Sequence, residues 1–221
     1  MTIEPKFHLL GIGALLMDLA HGAFDLSTQQ RLWALCGEGG ALRQLGGVHT
    51  VLLGVNNVAV TFDPLSVRLE ALQEALAAAW QHSTPFLGEG RLMEVPVVYD
   101  RTSDFDLQAV ADQAGLGIDE TIALHTSVDY RVACVGWVPG FAFLVGLPPR
   151  LATPRRSTPR LRVPRGSVGI GGAQTGVIPI EAPSGWNLLG RTGISLFSPA
   201  ATKPCLLTPG DRIRFVAERR T

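Results

Sequence analysis

Apolar positions in residues 1–82 switch between a period of two and a helical period. Lys6 to Leu10 and Ala14 to Leu19 read as two strands around Gly11-Ile-Gly13. Ser27-Thr-Gln-Gln30 has the form of a capping box; it opens a helix that turns Leu32, Trp33, Leu35 and Cys36 inward and stops at Gly39-Gly40. Val48 to Val55 and Val58 to Phe62 are β-branched runs joined at Asn56-Asn57, a pair that tolerates the positive φ of a tight turn. Asp63-Pro64 ends the second run, Ser66 caps the next helix, and Leu69, Leu72, Leu76 and Ala79 form its buried stripe. The pattern predicts a small N-terminal α/β sandwich domain, a sheet with two helices on it.

Residues 83–92, rich in Ser, Thr, Pro and Gly, read as a linker to a second domain over 93–221. Glu94 to Tyr99 is a predicted strand. Ser103 opens a helix with Leu107, Val110, Ala111 and Ala114 inward; Gly115 to Gly117 breaks it, and Asp119 to His125 forms another. From Val128 onward helical periodicity vanishes. Short apolar runs separated by Gly and Pro follow: Tyr130–Val138, Leu161–Val163, Ser167–Ile170, Gly176–Ile180, Trp186–Leu189, Ile194–Phe197 and Arg212–Val216. Short strands at this density predict a closed or nearly closed β-barrel, so the fold class is α+β.

Composition narrows the function classes. The chain is 46% hydrophobic and 17% charged, with acid and base balanced at 19 each, which argues for a globular protein that does not bind nucleic acid. No apolar run approaches the roughly 20 residues of a membrane span, and the N-terminus lacks a secretory signature, so a cytoplasmic location is expected. Cys36, Cys134 and Cys205 lie far apart in apolar contexts and read as buried free thiols; the scattered histidines offer no metal-ligand spacing, and no metal is expected.

Charge is unevenly placed despite this balance. Between Asp129 and Glu181 there is no acidic residue, yet seven arginines occur: Arg131, Arg150, Arg155, Arg156, Arg160, Arg162 and Arg165. Arg155, Arg156 and Arg160 alternate with Pro154, Pro159 and Pro164 on a stiff, extended ribbon, and guanidinium groups can hold carboxylate or phosphate through two bonds. Three readings stay open for this ribbon: anion binding, docking to a partner, or a solvated loop. Gln174 and Thr175, between glycines, suit either a small polar ligand or a close strand crossing. His125 at a helix end suits a structural role or proton transfer. Pro139-Gly140-Phe141, and Trp186 further on, suit core packing or the wall of a pocket. There is no P-loop, no dinucleotide fingerprint, no Gly-x-Ser-x-Gly elbow and no biotin-attachment motif.

These blocks carry a family resemblance. His125-x4-Tyr130-Arg-Val-x3-Gly136-Trp-Val-Pro139-Gly-Phe141-x2-Leu144, Arg150-Leu-Ala-Thr-Pro-Arg-Arg156, Val163-Pro-x-Gly-Ser-Val-Gly-Ile170, Gly172-Ala-Gln-Thr-Gly176, Gly185-Trp-x-Leu-x-Gly-Arg-Thr192 and Pro209-Gly-Asp-Arg-Ile-Arg-Phe215 resemble the KipI/PxpB family. That family is also called carboxyltransferase subdomain C and D, or allophanate hydrolase subunit 1. The resemblance implies an N-terminal α/β domain and a C-terminal cyclophilin-like β-barrel. It implies a subunit of an ATP-dependent 5-oxoprolinase complex that opens 5-oxoproline to glutamate, with ATP as cosubstrate on a subunit not specified. The partners implied are a companion carrying carboxyltransferase subdomains A and B and a third, hydrolase subunit. Family alternatives are an inhibitor of a sporulation-type histidine kinase and the carboxyltransferase half of a urea carboxylase or allophanate hydrolase system. Within such a complex, and on the residue readings above, His125, Arg155, Arg156 and Arg160 are expected as catalytic residues, and Pro139, Gly140, Phe141, Gln174, Thr175, Trp186 and Arg191 as substrate-binding ones. The chain departs from the family pattern at Ile12-Gly13, at Asp104-Phe-Asp-Leu107, and at Trp137, Phe143 and Ile178, where Phe, Tyr and Tyr are usual.

Overall fold

The N-terminal alternation becomes four antiparallel strands, β1 Lys6–Leu9, β2 Ala14–Asp18, β3 Val48–Leu53 and β4 Asn57–Phe62, in one sheet of order β1-β2-β4-β3. The computed structural model describes residues 3–102 and 104–218 and divides into two compact units, Met1–Gly88 and Glu89–Thr221. In the first unit, Leu15, Met17, Val58, Val60 and Phe62 point to one face of the sheet. There they share a core with Leu32, Leu35 and Cys36 of α1 (Leu26–Cys36) and Leu72, Leu76 and Trp80 of α2 (Leu69–His82).

Local chemistry differs from the sequence pattern at both helix starts. Asp25, not Ser27, caps α1: its side chain accepts from the Thr28 N–H at 2.6 Å. Asp25 is held in turn by Asn56, whose positive φ of 52° makes the β3–β4 turn and whose side chain bonds both Asp25 backbone groups at 2.7 Å. Ser66 does not cap α2, because Arg68 occupies the cap position and makes no side-chain cap bond. The buried stripe of α2 ends on Trp80, with Ala79 only half-buried.

Seven strands of the second unit close into a barrel. They are β5 Leu92–Tyr99, β6 Tyr130–Val135, β7 Ala142–Val145, β9 Ser167–Gly171, β10 Gln174–Val177, β12 Asn187–Arg191 and β13 Arg212–Ala217. Their order around the barrel is β10-β7-β6-β13-β5-β12-β9. β5 and β13 pair in parallel and the other neighbours are antiparallel. A two-stranded ribbon, β8 Arg160–Val163 with β11 Ala182–Ser184, stands apart from the barrel ladder. Helices α3 (Leu107–Ala114) and α4 (Ile118–Thr126) connect β5 to β6. Val95, Val97, Leu107, Val110, Tyr130, Leu144, Val168, Ile170, Leu189 and Phe215 form one apolar core.

Several strand expectations shift here. β5 begins at Leu92, the last residue assigned to the linker. Ser103, expected to open α3, lies outside the described residues; the cap position belongs to Asp106. The Tyr130–Val138 run stops at Val135, ahead of the turn at Trp137. Phe143 lies in a strand where only a turn was expected. Ile194–Phe197 forms no strand: Phe197 makes a single bridge to Cys205, and the run packs under the turn at Gly140. Burial pushes the Cys36 and Cys134 thiols up to about 12, as expected of inert core cysteines, whereas Cys205 is only half-buried. No helix among the described residues is long and apolar enough to cross a membrane.

Candidate functional site

The arginine ribbon does not lie free in solvent. Asp106, which is 7% exposed, receives Arg160 through two nitrogens, Nη1 on Oδ2 at 2.7 Å and Nη2 on Oδ1 at 3.0 Å. Arg156 Nη1 reaches the same Oδ1 at 2.6 Å, and the Leu188 N–H donates to Oδ2 at 2.8 Å. Burial opposes ionisation of Asp106, but the Arg160 hydrogen bond, the Leu188 N–H and the two guanidinium charges outweigh it and hold the carboxyl below its ordinary range. An aspartate at a helix start ordinarily caps its own helix; here it makes no such bond and is turned onto the ribbon. Backbone bonds complete the stitching, from Arg156 N–H to Gly185 O at 2.7 Å and from Asp106 N–H to Leu188 O at 2.7 Å.

The other arginines of the run divide by partner. Arg150 covers the C-terminus of α3, donating to the carbonyls of Ala114 and Gly115 at 2.8 Å each. Arg131 bonds the Glu89 carbonyl, and Arg162 pairs with Glu181 on the surface. Among the described residues no carboxylate pairs with Arg155 or Arg165.

Arg155 lines a cleft of about 360 Å³ with Trp137, Phe141, Phe143, Ser184 and Trp186. Phe141 is fully buried at its floor. The rings of Trp137, Phe143 and Trp186 stand nearly perpendicular to it, at 87°, 81° and 86°, with centroids 5.0, 4.8 and 5.3 Å away. These edge-to-face contacts hold the wall rigid. Two backbone features set it up. Gly140 adopts φ 80°, where a Cβ would meet Phe197 at 2.6 Å, so the turn can enclose Phe141. Trp137 adopts φ 68°, a left-handed conformation unusual for so bulky a residue, and the residue remains 51% exposed. A larger depression of about 570 Å³ elsewhere on this unit includes Arg101, which is ion-paired with Asp119.

His125 lies inside the barrel, not at the cleft. It is fully buried and stacked on Phe215 at 4.7 Å, and burial drives its pKa down to about 3. Thr175 Oγ1 donates to the Gly169 carbonyl at 2.9 Å, so it accepts from His125 Nε2–H at 3.0 Å. Nδ1 is then left to accept the Tyr99 hydroxyl at 2.7 Å. Tyr130 donates its hydroxyl to the His125 carbonyl at 2.7 Å, closing the end of α4. His125 and Thr175 are thus each other's partners, both without solvent access.

The cleft therefore unites three of the expected site residues, Phe141, Trp186 and Arg155. Pro139 and Gly140 form the turn behind it. Arg156 and Arg160 sit beside it on the Asp106 clamp. Gln174 is half-buried at the start of β10, and Arg191 lies on the surface with its guanidinium 5.5 Å from the Phe105 ring; neither lines the cleft. Sequence reasoning missed Asp106 and Trp137 as site residues. The available signal was Asp106-Leu107, which the chain keeps from the family's usual Gly-Pro-Asp-Leu where Asp104-Phe105 depart from it, and the replacement of the usual Phe by Trp137.

Comparison with known proteins places the chain. The family described as carboxyltransferase domain, subdomain C and D, matches residues 5–207. A 5-oxoprolinase subunit of Escherichia coli O157:H7 is 43% identical over 217 residues, 98% of this chain and 97% of that one. The 5-oxoprolinase subunit of the same name from Haemophilus influenzae is 38% identical over 194 residues, 88% of this chain and 89% of that one. The crystal structure of the K. lactis urea amidolyase superposes with a TM-score of 0.84 at 21% identity, covering 98% of this chain and 15% of that much longer one, a likeness of fold. Matched along most of its length by the family and along nearly all of it by a relative of its own size, the chain belongs to the carboxyltransferase subdomain C and D family.

Proposed function

We propose that this chain is a subunit of a cytoplasmic complex that opens 5-oxoproline to glutamate at the expense of ATP, and that it supplies one wall of a site completed by other subunits. Similarity along most or all of the chain to two proteins named as 5-oxoprolinase subunits supports the reading. The structural observation that carries the half-site reading is the make-up of the cleft: one arginine, one hydroxyl, and no carboxylate or histidine among its lining residues. Ser184, the hydroxyl, accepts from the Trp186 N–H and has no base in the lining to activate it. Such a surface binds and orients; it does not move protons.

Lactam opening needs a carbonyl made more electrophilic, water as nucleophile, and a proton for the departing ring nitrogen. With ATP, phosphoryl transfer to the amide oxygen supplies the first of these, and a guanidinium stabilises the anionic groups that gather there. In this scheme Arg155 meets the anion, Arg156 and Arg160 hold the ribbon that presents it, and His125 supports the barrel from within. The nucleotide site and the acid–base groups belong to partners, a companion with carboxyltransferase subdomains A and B and a third, hydrolase subunit. The chain alone is inactive. Its buried thiols suit the reducing cytoplasm.

The test is reconstitution. ATP-dependent glutamate formation from 5-oxoproline is measured with the chain and the products of its neighbouring genes, leaving out each component in turn. Activity is expected only with all present; full turnover without this chain, or by this chain alone, overturns the proposal.

A further inference from the structure

We infer that the aromatic cleft is a binding site for a small, flat carboxylate, with the carboxylate on Arg155 and the ring of the ligand between Trp137 and Trp186. Resting on the proposed 5-oxoprolinase reading, the ligand is the lactam acid itself, held by this chain without its partners.

Three independent observations converge on the cleft. The first is charge. Among the described residues Arg155 is the only charged one in the lining, and no carboxylate pairs with it. Its neighbours Arg156 and Arg160 are both occupied by Asp106, so the cleft presents a single cation at a set position. Arg155 is itself exposed, so its guanidinium is open to an anion entering the cleft.

The second is shape. Three rings stand nearly perpendicular to the buried Phe141, so they rise as walls from its plane. A slot walled by indole and phenyl faces suits a flat ring better than a flexible chain. At about 360 Å³ the space is in the range that holds a small ligand.

The third is strain. Trp137 keeps a left-handed backbone while the residue as a whole stays 51% exposed, so burial in the core does not account for its conformation. A strained residue whose ring forms one wall of a cation-bearing slot is explained by what enters the slot.

Binding to the full-length chain, read by calorimetry and by tryptophan fluorescence, tests the inference with 5-oxoproline, its decarboxylated analogue 2-pyrrolidinone, and glutamate. Trp137 and Trp186 report from the cleft, whereas Trp33 and Trp80 are buried in the other unit. Saturable binding of 5-oxoproline is expected, with 2-pyrrolidinone and glutamate at least about tenfold weaker. Arg155→Gln should weaken 5-oxoproline by about tenfold or more. Arg165→Gln, which removes an exposed arginine of the same run away from the cleft, should change nothing. No saturable binding, equal binding of 2-pyrrolidinone, or an unaffected Arg155→Gln variant overturns the site. The outcome separates from that of the parent reading: a complex that turns over 5-oxoproline equally well with Arg155→Gln removes the site and leaves the subunit role. Arg155-dependent binding by a chain whose complete complex does not open 5-oxoproline does the reverse.

Discussion

Asp106 and Arg160 meet in a two-point ion pair, with both carboxylate oxygens engaged at 2.7 and 3.0 Å. The pair joins the start of α3 to the proline-spaced ribbon, and the Leu188 N–H on the same carboxylate ties in β12. One buried side chain thus fixes three segments, among them the ribbon that brings Arg155 and Pro159 to the cleft.

Removing that carboxylate should loosen all three. Asp106→Asn leaves a buried N–H and two partly exposed guanidinium groups with a weaker, neutral acceptor. The cost expected is about 2–3 kcal/mol, less than for a fully buried pair because Arg156 and Arg160 keep some water. Arg160→Lys, which loses the two-point geometry, should cost about 1 kcal/mol, and Arg156→Lys less, since Arg156 makes one bond to the carboxylate. Urea unfolding of the three variants gives this ranking; an equal loss for Arg156→Lys and Arg160→Lys contradicts it.

His125 and Asp106 make stability depend on pH in the same direction. His125 stays neutral when folded down to about pH 3, whereas in the unfolded chain it takes up a proton near its ordinary value of about 6.5. Between these values the unfolded state binds the extra proton, so stability is full above about 6.5 and is lost as pH falls, by up to about 1.4 kcal/mol per pH unit. Asp106, with its lowered pKa, adds to the loss below the ordinary carboxylate range. His125→Gln should be destabilised at neutral pH yet show a flatter slope between about pH 4 and 6. Unfolding free energies across that range measure it; an unchanged slope means that another group carries the dependence.

Trp137 should show binding and stability pulling apart. Trp137→Gly removes both the backbone strain and the edge contact with Phe141, so the two effects offset and stability should change by less than about 1 kcal/mol. The cleft loses a wall, and binding of 5-oxoproline should fall by about tenfold. A variant that melts early and binds normally would give Trp137 a packing role.

Gly171 offers a way to move Trp186 without replacing it. A Cβ at Gly171 would sit 2.6 Å from the indole ring, and the backbone there is not left-handed. Gly171→Ala should push the indole from its seat, costing about 1–3 kcal/mol from overpacking and altering the tryptophan emission. Unchanged emission and stability would show that the ring yields freely.

The outlines of both units were readable along the chain wherever one face of an element meets the core. Leu72 and Leu76 on α2, and Val58, Val60 and Phe62 on β4, declare their burial through spacing alone. Elements buried on both sides, or held by side chains from afar, were not. β7 was hidden because Phe141 and Phe143 read equally well as a turn with aromatics. The true cap of α1, Asp25, is selected by Asn56 from a distant turn. At the site, Phe141, Trp186 and Arg155 were identified by residue type, but nothing local separates Arg155 from Arg156 and Arg160.

By itself, then, the sequence determined the two-unit order, the strand-rich second half, the family, and the surplus of arginine without nearby acid. Periodicity, composition and motif spacing carry these, and each is a property of neighbours along the chain. Only the tertiary structure decided where the charge went. Asp106 lies about fifty residues upstream of its partners, and no spacing rule links a helix-start aspartate to a later arginine ribbon. Closure of the barrel also withdrew His125 and Thr175 from solvent and bonded them to each other. The same polar residue types that suggest chemistry on a surface serve, once enclosed, to satisfy one another.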